Sequence, residues 1–156
     1  MTTPARVVYD CNIFLQALAA PEGPAGKCVQ LVFDAKVNLF ISHTVLRELR
    51  DVTSRPGVIR KLGLVPDGVE MFLTAVETVA TLLDGFPEVF NYERDPDDAH
   101  YVNLALAADA RLIVSRDKDL LDLMVSADAD AVQFRTRFPD LRITDPAAFL
   151  AEVSIT

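Results

Sequence analysis

The stretch RVVYDCNIFLQAL, residues 6–18, decides the fold. RVVYD at 6–10 is a short β-branched and aromatic run that reads as a buried strand ending at an acid, and NIFLQAL directly after it reads as a helix. PEGPAG at 21–26 breaks the chain, and the same alternation then recurs outward. Residues 27–36 predict a second helix and VNLFIS at 37–42 a second strand. HTVLRELRDV follows with Val45, Leu46, Leu49 and Val52 at helical spacing, which leaves Arg47 and Glu48 off the apolar stripe. The periodicity predicts a helix from residue 66 to about 83, and FPEVFNYE an extended lead into an acidic turn at Asp95, Pro96, Asp97 and Asp98. AHYVNLALAADA reads as a helix, RLIVS at 111–115 as a strand, KDLLDLM as a helix and residues 142–144 as a strand. PAAFLAEV closes the chain as a helix capped by Asp145, with Pro146 at its first position. Strands alternating with helices predict an α/β fold, a three-layer α/β/α sandwich on a mainly parallel sheet. With no internal repeat, low-complexity tract or linker, residues 1–156 read as a single domain.

Composition bounds the function. At 156 residues and 51% hydrophobic content the chain has material for one buried core. No apolar stretch approaches the roughly 18 residues that span a bilayer, and the start MTTPARVVYD lacks the layout of a secretion signal. A cytoplasmic protein with no membrane partner is expected. Two cysteines, Cys11 and Cys28, form no CxxC pair, and His43 and His100 are too few to complete a zinc site, so a disulfide framework and structural zinc are excluded. The net charge of −8, from 15 Lys and Arg against 23 Asp and Glu, argues against a general coat of nucleic-acid-binding charge. Carboxylates that converge on a divalent cation, however, raise the acidic count while creating a place where phosphates bind through the metal.

In open α/β sheets, ligands bind beyond the carboxyl ends of the strands. Asp10 follows the first strand, Glu48 lies in the helix after the second, Asp98 opens the helix leading into RLIVS, and Asp117 follows that strand. Four carboxylates from four segments can therefore gather at one sheet edge. Taken singly, each has a plainer reading: Asp10 as a strand end, Glu48 as a solvated helix face, Asp98 as a first-turn charge behind an Asp95 cap, Asp117 as the cap of KDLLDLM. Asn12 stands where it can orient Asp10 or a bound water.

Asp10-Cys11-Asn12 after the first strand, ISHTVLREL with Glu48, RDPDDAHYVNLALAADA with Asp98 and IVSRDKDLL with Asp117 together resemble a PIN domain, nearest to the toxin components of toxin–antitoxin systems. The resemblance runs from Val7 to the closing PAAFL segment. It implies an acidic quartet at Asp10, Glu48, Asp98 and Asp117, with Asn12 and Ser115 in support. Cys11 stands where the family usually has Thr or Ser, and the neighbouring Asp97 and Asp119 leave the register open by one or two residues. Asp98 is preferred because Val102 and Ala105 lie four and seven residues further along its helix.

Clustered carboxylates cannot all stay ionised without a cation, and all-oxygen ligation suits Mg²⁺ or Mn²⁺. The resemblance implies hydrolytic cleavage of RNA leaving a 5′-phosphate and a 3′-hydroxyl, with Asp10, Asp98 and Asp117 as metal ligands and Glu48 as a ligand or the group orienting water. It also implies a small antitoxin protein as partner, and homodimers are usual in the family. Arg47, Arg50, Arg116 and Lys118 are candidates for holding RNA phosphates, against the plainer reading of solvated surface charge. Tyr92 and Tyr101 could stack on bases, although core or rim packing is the favoured reading. A haloacid-dehalogenase-like phosphotransferase would need a second Asp where Asn12 stands. A P-loop would need Ser or Thr where Cys28 follows Gly26-Lys27. The alternative outside enzymes is a noncatalytic RNA- or protein-binding module.

Overall fold

The computed structural model describes residues 3–155. Its sheet contains β1 (Ala5–Tyr9), β2 (Val37–Ile41), β3 (Thr81–Leu82), β4 (Leu112–Val114) and β5 (Arg142–Thr144), all parallel, in the order β3-β2-β1-β4-β5. Central β1 pairs Val7 with Leu39 on one side and with Leu112 on the other. Its residues Val7, Val8 and Tyr9 are all buried, as expected of a parallel strand covered on both faces.

Alternation along β1 sends Tyr9 to one face, where its ring meets Phe14 of α1 (Cys11–Ala19) and Phe149 of α9 (Pro146–Ile155). The Tyr9 hydroxyl donates to the Cys28 carbonyl of α2 (Pro24–Phe33) at 2.8 Å. Arg6 takes the opposite face, reaching the Ala108 carbonyl at the end of α6 (Pro96–Ala107), which lies across β1, β2 and β4. The three layers follow from this division. Around them stand α3 (His43–Thr53), α4 (Pro56–Leu62), α5 (Pro66–Val79), α7 (Lys118–Asp122) and α8 (Ala129–Arg137). Among the described residues no helix is long and apolar enough to cross a membrane.

The order of strands has one consequence for chemistry. From β1 the chain winds outward through β2 and β3, then returns to the other side of β1 for β4 and β5. The strand order reverses between β1 and β4, and in open α/β sheets the carboxyl ends of the strands at such a switch point are where ligands bind. Asp10 is the first residue past β1, and Asp117 caps α7 just after β4.

Local differences from the sequence reading have physical causes. The helix expected to reach residue 83 ends at Val79, because Ala80 turns extended and Thr81 and Leu82 pair with Phe40 and Ile41. The unpaired side of β2 outweighs the apolar periodicity. Helix α6 begins at Pro96, two residues ahead of the Asp98 expected to open it, since Asp95 caps it and proline suits the first helical position. Helices α4 and α8 carry little periodic signal: α4 buries no residue, and α8 buries only Ala131 and Phe134.

Candidate metal centre

Asp10 is buried at the carboxyl end of β1 and both its oxygens are held. Oδ1 accepts the Asn12 backbone N–H at 2.9 Å, and Oδ2 accepts the Ser115 hydroxyl at 2.5 Å. Ser115 Oγ accepts the Asp117 N–H at 2.9 Å, so one side chain ties the ends of β1 and β4 together. Asp117 Oδ1 in turn accepts the Asp119 N–H at 2.8 Å, capping α7.

The third acid arrives on α6. Asp95 caps that helix by accepting the Asp98 N–H at 3.4 Å. Asp98 is buried, as are Val102 and Ala105 below it, whereas Asp97 is exposed. Ligand-capable oxygens of Asp95, Asp98, Asp117 and Asp119 all lie within 4.8 Å of one another. Asp98 Oδ2 is buried without a hydrogen-bond partner. A carboxylate oxygen buried among like charges is favourably placed only beside a cation or a donor, so its position fits a metal ligand.

The electrostatics agree. Burial, followed by repulsion from Asp117, Asp95 and Asp10, pushes the Asp98 carboxyl up to about 8. Asp10 is raised chiefly by burial, with Ser115 and Asn12 opposing and Asp117 and Asp95 adding to the rise. Glu48 is also raised, by burial and then by Asp97 and Asp10, against Arg55 and the Tyr101 hydroxyl. Burial comes first at Cys11 too, whose thiol is pushed up to about 12 with Glu48 and Asp10 contributing. The Tyr101 hydroxyl accepts the Cys11 N–H at 3.1 Å, and burial drives it well above the ordinary tyrosine range.

Of the residues singled out from sequence, Asp98 and Asp117 belong to the close group of four. Asp10 adjoins it through Ser115, and Glu48 stands at its margin within the field of Asp10. Asp95 and Asp119 complete the close group, although the sequence suggested only a cap for one and a register ambiguity for the other. Capping directs each acid's carboxylate or its neighbour's inward, so the plain role and the clustering coincide. The Asn12 side chain is exposed and its contribution to Asp10 is its backbone N–H.

The expected phosphate-holding cations scatter. Arg50 pairs with Glu70 at 3.3 Å and Glu77 at 3.6 Å on α5. Arg116 lines a hollow with Gln16, Ala20 and Pro24 beside α1 and α2. Arg47 is exposed and helps His43 hold the Asp84 carboxyl low, and Lys118 is exposed 3.8 Å from Asp122. Tyr92 and Tyr101 are both buried in packing, not open for stacking.

A family model described as PIN domain matches residues 6–119, which takes in every acid of the group. An uncharacterized protein of Methanocaldococcus jannaschii is 33% identical over 118 residues, covering 76% of this chain and 74% of that protein. With the five-stranded parallel sheet and its acidic group, these matches show that the chain belongs to the PIN domain family, whose members are generally nucleases and typically bind divalent metal.

Proposed function

We propose that the chain is a Mg²⁺- or Mn²⁺-dependent endoribonuclease that hydrolyses RNA phosphodiester bonds. The observation carrying this reading is the partnerless, buried Asp98 Oδ2 inside a group of four carboxylates within 4.8 Å. Neither histidine nor cysteine belongs to the group, so its donor set is all oxygen and fits a hard divalent cation. Asp98 and Asp117 would hold that cation, with Asp10, Asp95 and Asp119 around it.

When bound, such an ion supplies an acidified water as nucleophile and charge stabilisation for the leaving oxygen. The remaining work falls to the protein. Ser115 and the Asn12 N–H fix the Asp10 carboxylate in one orientation, which keeps the site organised before substrate arrives. Glu48, its carboxyl raised by burial and by Asp97 and Asp10 and exposed at the margin, is suited to orient the attacking water and take up its proton. Attack of water on phosphorus with breakage of the P–O3′ bond, the 3′-oxygen leaving with a proton, gives a 5′-phosphate and a 3′-hydroxyl.

The test is incubation of an end-labelled RNA with the protein in Mg²⁺, Mn²⁺ or EDTA, beside Asp10→Asn. Cleavage that needs metal and is lost in the variant is expected. RNA left intact in every metal would overturn the reading. The toxin role rests on the likeness of Asp10-Cys11-Asn12, ISHTVLREL, RDPDDAHYVNLALAADA and IVSRDKDLL, taken together, to toxin components, and a small antitoxin is its corollary. Expression of the chain alone should arrest growth, with relief by Asp10→Asn; unimpaired growth with abundant active protein would sink the toxin role.

A further inference from the structure

An RNA substrate brings one negative charge per nucleotide to a site made of carboxylates, so a cation must stand beside them to hold the strand in register. Arg50 and Arg116 are turned to other surfaces. Arg94 is not. It immediately precedes Asp95, and its Nε donates to Asp119 Oδ1 at 2.6 Å, while Nη2 donates to Asp122 Oδ2 at 2.7 Å. Asp119 is one of the four clustered acids, so a single carboxylate separates the guanidinium from the centre.

The fork retains unused donors. Nη1 makes no hydrogen bond among the described residues, and the side chain is 36% exposed. Two carboxylates fix the guanidinium in one orientation, so a phosphate meets a rigid fork and not a mobile chain. Lys118 Nζ lies 3.8 Å from the same Asp122 oxygen, which places a second cation on this flank.

We propose that Arg94 is the phosphate-binding residue of this site, gripping an RNA phosphate beside the one to be cut. The proposal rests on the nuclease reading above. Its role is to offset the acidic group for an incoming strand from the Asp119 side while leaving Asp98 and Asp117 free for metal.

The experiment measures binding of a fluorescein-labelled single-stranded RNA by anisotropy in Mg²⁺ across a KCl series, in the full chain carrying Asp10→Asn to prevent cleavage. Arg94→Gln, which keeps a donor for Asp119 but no charge, is expected to weaken binding several-fold and make the slope of log affinity against log salt shallower by about 0.7. Arg94→Lys should restore the slope. Asp122→Asn, which loosens the tether and spares the cation, should leave it unchanged. An unaltered slope in Arg94→Gln with a lowered melting temperature would show Arg94 to be a strut and overturn the proposal. Absence of RNA binding both in the Asp10→Asn parent and in the wild-type chain with Ca²⁺ in place of Mg²⁺ would overturn the proposal together with the nuclease reading, and so is distinguishable from the first failure.

Discussion

Ser115 Oγ donates to Asp10 Oδ2 across 2.5 Å while accepting the Asp117 N–H at 2.9 Å. One buried hydroxyl thus orients an acid from β1 and the turn that presents an acid after β4. Ser115→Ala leaves the Asp10 oxygen without its donor and the Asp117 N–H without its acceptor, so both carboxylates lose definition. We predict a fall of about 10- to 100-fold in Mn²⁺ affinity, the usual cost of losing a group that orients metal ligands. Isothermal titration with Mn²⁺ checks it. Unchanged affinity would mean that the acids are positioned by backbone alone.

Asp98 gives the metal-free protein an unusual pH dependence. With its carboxyl pushed up to about 8, the folded chain keeps a proton there that an unfolded chain, with a value of 3.8, has lost. Unfolding therefore releases a proton between these values, and the stability present below the unfolded value is lost as pH rises through about 8. The slope is at most about 1.4 kcal/mol per pH unit. In EDTA the melting temperature should fall from pH 6 to pH 8.5, and Asp98→Asn should flatten the profile. A wild-type melting temperature that rises over this range would contradict the repulsion described for the cluster.

Much of this arrangement was legible in residues. The buried run of β1 and the acids at Asp10, Asp98 and Asp117 followed from alternating strands and helices, because parallel sheets place strand ends at a common edge. Other parts depended on tertiary pairing. Nothing local distinguishes Thr81 and Leu82 from the end of a helix; only the free side of β2 makes them a strand. Arg94 and Asp119 lie 25 residues apart in sequence, and their contact exists only because the acidic turn and α7 converge. Where Arg50 and Arg116 reach was equally hidden, because helical and turn geometry points sequence neighbours in different directions: Arg50 meets Glu70 and Glu77 on α5, and Arg116 lies beside α1 and α2.

Gly26 and Gly57 should respond oppositely to alanine. A Cβ at Gly26 would stand 1.9 Å from the Pro21 carbonyl oxygen and 2.4 Å from its carbon, both backbone atoms that cannot rotate away. At Gly57, in α4, nothing lies within 4 Å. Gly26→Ala is predicted to cost about 3 kcal/mol or more through displacement of α2 against the 21–23 turn. Gly57→Ala should stabilise by about 0.4–1 kcal/mol through the unfolded state. Urea unfolding of the two variants decides, and similar small effects at both would refute the close approach at Pro21.

Asn103 holds the segment that leads into the acidic turn. Its Oδ1 accepts the Val89 and Phe90 N–H groups at 2.9 and 2.8 Å, and its Nδ2 donates to the Phe90 carbonyl at 2.9 Å. The segment 83–95 has no helix or strand of its own, so this amide takes the place of a ladder and seats Phe90 against Phe134 and Phe138. Asn103→Ala strands these backbone groups in a buried setting, at about 2–4 kcal/mol. Hydrogen exchange should quicken at Val89 and Phe90 more than in β1, and Mn²⁺ affinity should drop because Asp95 lies at the end of the loosened segment. A uniform rise in exchange over the whole chain would show instead that Asn103 contributes through general core packing and leaves the acidic turn alone.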